Sequence, residues 1–141
     1  MIKDVVIKIV GSQGIDEQTD TIEFITDARF GIKDNEYYLS YDEGQMFETK
    51  EDVKTKIYIK SDNSILLERK GSVNSRMIIE KGVRNTCFYS TIHGDLVLGV
   101  FGEQVSYNLN EKGGEINLSY TLDTEMQLLS RNNVKIIVSE V

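Results

Sequence analysis

The sequence predicts an all-β domain of antiparallel strands. Three observations carry this reading. Hydrophobicity repeats with a period of two along most of the chain. Turn residues break the pattern at short intervals. No segment sustains apolar residues at i, i+3, i+4 and i+7, the spacing of a core-facing helix. At 141 residues the chain suits one domain, residues 1–141, with no repeat, low-complexity tract or linker to divide it.

The clearest strands come first. Val53, Thr55, Ile57 and Ile59 alternate with Lys54, Lys56, Tyr58 and Lys60. Ile116, Leu118, Tyr120 and Leu122 alternate with Asn117, Ser119, Thr121 and Asp123. Ile22, Phe24, Thr26 and Ala28 alternate with Glu23, Ile25, Asp27 and Arg29. Successive strand side chains point to opposite faces, so each run has one dry and one wet face. About ten strands follow, near residues 2–10, 19–30, 36–42, 53–60, 64–70, 75–80, 84–91, 95–101, 104–110, 114–123 and 133–140. Residues 124–130 read as a further strand or a turn of helix. The best helical candidate, residues 41–48, is broken by Gly44.

Expected turns are Asp62-Asn63-Ser64, Lys81-Gly82, His93-Gly94-Asp95, Phe101-Gly102-Glu103, Lys112-Gly113-Gly114 and Arg131-Asn132-Asn133. Gly and Asn supply the positive φ that tight hairpins need. Gly11-Ser12-Gln13-Gly14 matches no phosphate-binding fingerprint and reads as a flexible connection between strands. Hairpins with one wet face must either pair two sheets or close into a barrel, because open edges invite aggregation. The absence of proline fits long ladders.

Composition removes several chemistries. One Cys allows no intrachain disulfide, and one His allows no helical pair of zinc-binding histidines. No metal site or cofactor is expected. Residues 1–52 hold 13 acids and 5 bases, so the net charge of −7 lies almost wholly there. That surface is a poor partner for nucleic acid; it reads as a solvated acidic face or as a docking face for a basic partner or a cation. The scattered acids Asp42, Glu43, Glu48, Glu51 and Asp52 read as a solvated loop. The N-terminus lacks the apolar run of a signal peptide, and no stretch is long and apolar enough for a membrane helix. A reducing cytoplasm is the compartment expected for one unpaired Cys.

Cys87 and His93 invite a nucleophile–base reading, but residues six apart on a strand lie roughly 20 Å apart. They read instead as a buried filler and a turn residue. Arg69 shares strand parity with Ile65 and Leu67. If that parity faces the core, the guanidinium points inward and must be paired. It is then either a structural plug or an anion-binding group in a cavity. Tyr120 lies between Leu118 and Leu122 on an otherwise apolar face, where its hydroxyl needs a partner.

Glu68-Arg69-Lys70-Gly71, Arg76-Met77-Ile78-Ile79-Glu80-Lys81-Gly82, Tyr89-Ser90-Thr91-Ile92-His93-Gly94 and Gly114–Leu122 occur in an order that resembles the YwiB-like family of uncharacterised bacterial proteins. The resemblance covers roughly residues 36–140. It implies a single closed antiparallel β-barrel, calycin-like and similar in architecture to lipocalins, in a bacterial cytoplasm. The matching positions are Arg69, Gly71, Tyr89, Thr91, Gly94 and Tyr120. Ile92 departs from the proline that family members often carry there. The resemblance implies no activity or catalytic residue.

Barrels of about eight strands are filled by side chains or hold one small ligand. The first expectation is therefore a non-enzymatic binding protein for a small polar or anionic ligand. Arg69 supplies charge, and Tyr89, Thr91 and Tyr120 supply orienting hydroxyls. The alternative is a filled barrel acting as an interaction or scaffold module through its acidic N-terminal region. An enzyme ranks last, and oligomeric state is not legible.

Overall fold

A computed structural model describes residues 1–15, 18–42, 53–91, 94–124 and 127–141, Thr91 by its backbone. Its strands are β1 (Ile2–Ile15), β2 (Gln18–Lys33), β3 (Glu36–Asp42), β4 (Val53–Ile59) and β5 (Ile65–Gly71). They continue as β6 (Asn74–Ile79), β7 (Arg84–Thr91), β8 (Gly94–Asn110), β9 (Gly113–Thr124) and β10 (Gln127–Glu140). Each strand pairs antiparallel with its sequence neighbours, and β1 pairs with β10 to close the barrel. Closure satisfies both edges of the sheet, which an open meander would leave exposed. Among the described residues no helix is long and apolar enough to cross a membrane.

The period-two runs define the inner face as expected. Val5, Ile7 and Ile9 of β1, Ala28 and Phe30 of β2, and Ile57 and Ile59 of β4 are buried. Ile65 and Leu67 of β5, Ile116 and Leu118 of β9, and Ile136 and Val138 of β10 complete much of the core. Phe30 stacks on Tyr37 with ring centroids 6.0 Å apart. Tyr37 meets Tyr107 edge-on at 5.9 Å and donates its hydroxyl proton to the Leu109 carbonyl at 2.9 Å. This aromatic cluster fills the end of the barrel where β2 turns into β3.

Two tight turns at that end follow from local chemistry. Asp34 and Asn35 both have positive φ, 53° and 63°, the two-residue geometry that matches the twist of flanking strands. Between β4 and β5, Asn63 takes φ 67°. Asp62 Oδ1 there accepts from Ser64 N–H at 2.9 Å and Ser64 Oγ–H at 2.6 Å.

Several sequence expectations are corrected. Phe101-Gly102-Glu103 is not a turn: residues 95–101 and 104–110 belong to one strand, β8, with a register shift between Gly102 and Gln104. Gly102 is there because the β6–β7 turn backs onto it. Gly82 N–H donates to Gly102 O at 2.8 Å, and a Cβ on Gly102 would collide with the Glu80 carbonyl. Gly11-Ser12-Gln13-Gly14 is no flexible connection but the continuation of β1, paired on both sides. Arg131-Asn132-Asn133 also lies within a strand, β10, which starts at Gln127 rather than near 133. Of the helical candidate at 41–48, Tyr41 and Asp42 end β3, and the remainder lies outside the described residues.

Candidate binding site at the barrel mouth

The inner face changes character along the barrel. Towards the ends of β3, β5, β7 and β9, polar residues replace the apolar ones while keeping the same parity. One row runs through register partners: Tyr41 opposite Thr55, Thr55 opposite Arg69, Arg69 opposite Ser75, and Ser75 opposite Tyr89. A second row runs Tyr120, Asn132, Gln13 and Asp20 across β9, β10, β1 and β2. Thr55 is fully buried, and Asn132 and Tyr120 are each 8% exposed. Asn132 Nδ2 donates to Ser130 Oγ at 3.0 Å, which satisfies part of its buried amide.

Tyr41 and Arg69 of the first row and all four residues of the second line a cavity of about 290 Å³. Arg69, Tyr41, Tyr120, Asn132, Gln13 and Asp20 supply its polar lining, and Ile57, Leu67, Leu118 and Ile136 its apolar floor. Arg69 sits on β5 and Tyr120 on β9, which lie on opposite sides of the ring of strands. Arg69 is half-buried, with its Nε buried, and Asp20 is exposed at the rim. The cavity therefore presents a fixed cation and several hydroxyl and amide groups above a dry base. Such a set can hold a small polar molecule by one charge-assisted contact and a few oriented hydrogen bonds.

The parity of β5 is thus settled: Ile65, Leu67 and Arg69 face inward. Leu66 faces outward yet is only 7% exposed. Of the residues expected at a ligand site, Arg69 and Tyr120 meet at one cavity. Tyr89 is half-buried on the inner face beside Ser75, but it is not among the residues lining that cavity. Thr91 is placed only by its backbone, opposite Gly94. Cys87 is 2% exposed, and burial pushes its thiol above the ordinary range, so it remains protonated and apolar in behaviour. His93 lies outside the described residues, as do Glu43, Glu48, Glu51 and Asp52.

Thr55 was legible as a dry-phase residue, but Tyr41, Gln13, Asp20 and Asn132 were not. The signal that hid them was their own polarity. Gln13 and Asn132 stand beside Gly or Asn, and a polar residue in such a setting looks like a turn when the strand is read alone.

Known proteins resemble this chain over most of its length. Residues 7–136 match the family model described as "Domain of unknown function (DUF1934)". A relative in Bacillus subtilis (strain 168), "Uncharacterized beta-barrel protein YwiB", is 28% identical over 108 residues, 76% of this chain and 72% of that protein. The crystal structure of ywiB protein from Bacillus subtilis superposes with a TM-score of 0.84 at 22% identity, covering 99% of this chain and 93% of that one.

Proposed function

Because the chain belongs to the DUF1934 family, whose description assigns no activity, function is argued from the site, and we propose that the protein binds a small polar or anionic molecule in the barrel mouth. The observation that carries this is the lined cavity itself, with Arg69 on one wall and Tyr120 on the other. A purely structural barrel gains nothing from polar residues on its inner face, because each must be desolvated and then partnered. Here they gather at one end and surround open volume, while the other end is packed with Phe30, Tyr37 and Tyr107. That division resembles the use of the interior in calycin-like barrels. The buried reduced Cys87 and the likeness to a Bacillus protein support a bacterial cytoplasmic setting.

The test is thermal shift against a panel of small carboxylates and phosphate esters, on the wild-type chain and on Arg69→Ala. The expected result is stabilisation of the wild type by at least one anion. In a variant that still melts cooperatively, that stabilisation is lost. Unfolding of Arg69→Ala, with no response in Arg69→Lys, assigns the residue to structure and overturns the reading.

A further inference from the structure

The outer face of the barrel carries an apolar patch on β6, β7 and β8. Met77, Ile79, Cys87, Leu98 and Val100 are buried at alternate positions of these strands, so Ile78, Phe88, Val97 and Phe101 point outward. All four are exposed, Phe88 by 69% and Val97 by 55%. Phe88 and Val97 stand directly opposite each other across the β7–β8 ladder. Asn85 Nδ2 donates to the Ile78 carbonyl at 3.2 Å and holds β7 against β6 there. Val83 is also exposed, and its carbonyl accepts from Gly102 N–H at 3.3 Å, which sets it beside Phe101. At the areas of aromatic and branched side chains, these five residues offer on the order of 400 Å² of apolar surface, a size at which a patch is often functional.

The border of the patch is charged but balanced. Arg76 pairs with Glu68 at 3.9 Å, Arg84 with Asp123 at 2.6 Å and Arg131 with Glu103 at 3.5 Å. Lys70, Glu80, Lys81 and Asp95 complete the border with two more charges of each sign. The acidic part of the chain lies on the far side. Residues 1–52 hold 13 acids and 5 bases and include β1, β2 and β3. In the ring of strands β7 stands four places from β1, and β6 four places from β2, so the patch faces away from them.

We propose that this patch joins two copies of the chain in a symmetric dimer. A two-fold contact brings the same patch from each copy together, so the patch must be charge-balanced to meet itself. This one is, although the whole chain carries −7. Contact through β6–β8 also sets the two acidic sides far apart, which limits repulsion between the copies. A strongly charged partner of either sign gains little from such a border. The area fits as well. A standard interface covers about 800 Å² per partner, a little over half of it apolar, so the patch supplies most of that apolar share. Phe88, the most exposed of the five, is the expected anchor.

The test is sedimentation equilibrium of the full chain at micromolar concentrations. A reversible monomer–dimer equilibrium is expected, reaching twice the chain mass at the upper end. Phe88→Glu is expected to weaken association at least about thirtyfold, as loss of an aromatic hot spot does. Phe88→Thr keeps a β-branched residue on the strand and is expected to weaken association too, with circular dichroism reporting the parent fold. Ile25→Glu is the control. Ile25 is 67% exposed on β2, on the acidic side, and the dimer is expected to survive its replacement. Raising salt from low to physiological is expected to strengthen the dimer slightly, because it screens repulsion between acidic chains. A monomer at every concentration overturns the proposal and leaves the patch to a different partner. A dimer untouched by Phe88→Glu, or one lost equally in Ile25→Glu, places the contact elsewhere and overturns it. A dimer that dissociates in salt assigns the contact to charge and overturns it as well.

Discussion

The barrel has two unlike walls. Strands β1, β2, β8, β9 and β10 are 12 to 17 residues long, whereas β3 to β7 are 6 to 8. The β1–β2 ladder runs through 14 register pairs, from Ile2–Gly31 to Ile15–Gln18. The β6–β7 ladder holds two, Asn74–Ser90 and Ser75–Tyr89. Below them a side chain takes over, with Asn85 Nδ2 donating to the Ile78 carbonyl at 3.2 Å. The long wall is held by long ladders, with one register shift each in the β8–β9 and β9–β10 pairings. The mouth draws on both walls, with Arg69 and Tyr41 from the short one and Tyr120, Asn132, Gln13 and Asp20 from the long one. The walls differ in the length of their pairing, and substitutions on each should behave differently.

The largest effect is expected on the long wall. Phe30 is 1% exposed and packs on Tyr37. Phe30→Ala should cost about 3–5 kcal/mol, read as a lower denaturation midpoint at unchanged slope. A cost below about 1 kcal/mol would show that the aromatic end is not the anchor of the fold.

The next prediction lies where the walls meet. Gly102→Ala drives a methyl into the Glu80 carbonyl and should cost about 1–3 kcal/mol. If the variant is as stable as the parent, the β6–β7 turn does not seat on β8.

Ser75, on the short wall, should respond in the opposite direction. Its Oγ is buried and makes no hydrogen bond among the described residues. Ser75→Ala removes an unsatisfied polar atom and should be neutral or stabilise by up to about 1 kcal/mol. A loss above that would reveal a partner for the hydroxyl and weaken the contrast.

The smallest effect concerns the ion pair from β7 to β9. Arg84 Nη2 donates to Asp123 Oδ1 at 2.6 Å, and the guanidinium lies over Gly99. Hydrogen bonding to Arg84 holds the Asp123 carboxyl below the ordinary range. A depressed folded-state pKa stabilises above the unfolded value, about 3.9, and that contribution is lost as pH falls through the folded pKa. Both side chains are partly exposed, so Asp123→Asn should cost at most about 1 kcal/mol at pH 7. The gap between variant and parent should close below about pH 4. A gap that persists under acid would assign the cost to packing rather than charge.

Much of the fold was legible in the local pattern. The alternation of Val53 to Lys60, of Ile116 to Asp123 and of Ile22 to Arg29 named the dry face correctly, because side-chain direction in a strand depends only on residue parity. Arg69 and Tyr120 were found for the same reason, as polar side chains on dry phases. Breaks in pattern were misread when their cause lay far along the chain. Gly102 looks like a turn until Glu80 is seen against it, and Asn132 looks like one until its neighbours across the sheet are known.

The sequence by itself determined the all-β class, the inward parity and the shortage of catalytic parts, because each follows from residue type and spacing over a few positions. Tertiary structure decided the rest. Closure through β1 and β10 joins residues more than a hundred positions apart. Arg69 and Tyr120 share a cavity because the ring of strands sets them on facing walls. Ile78, Phe88, Val97 and Phe101 form one patch because three adjacent strands bring them together. These are consequences of register and shear, and no local pattern contains them.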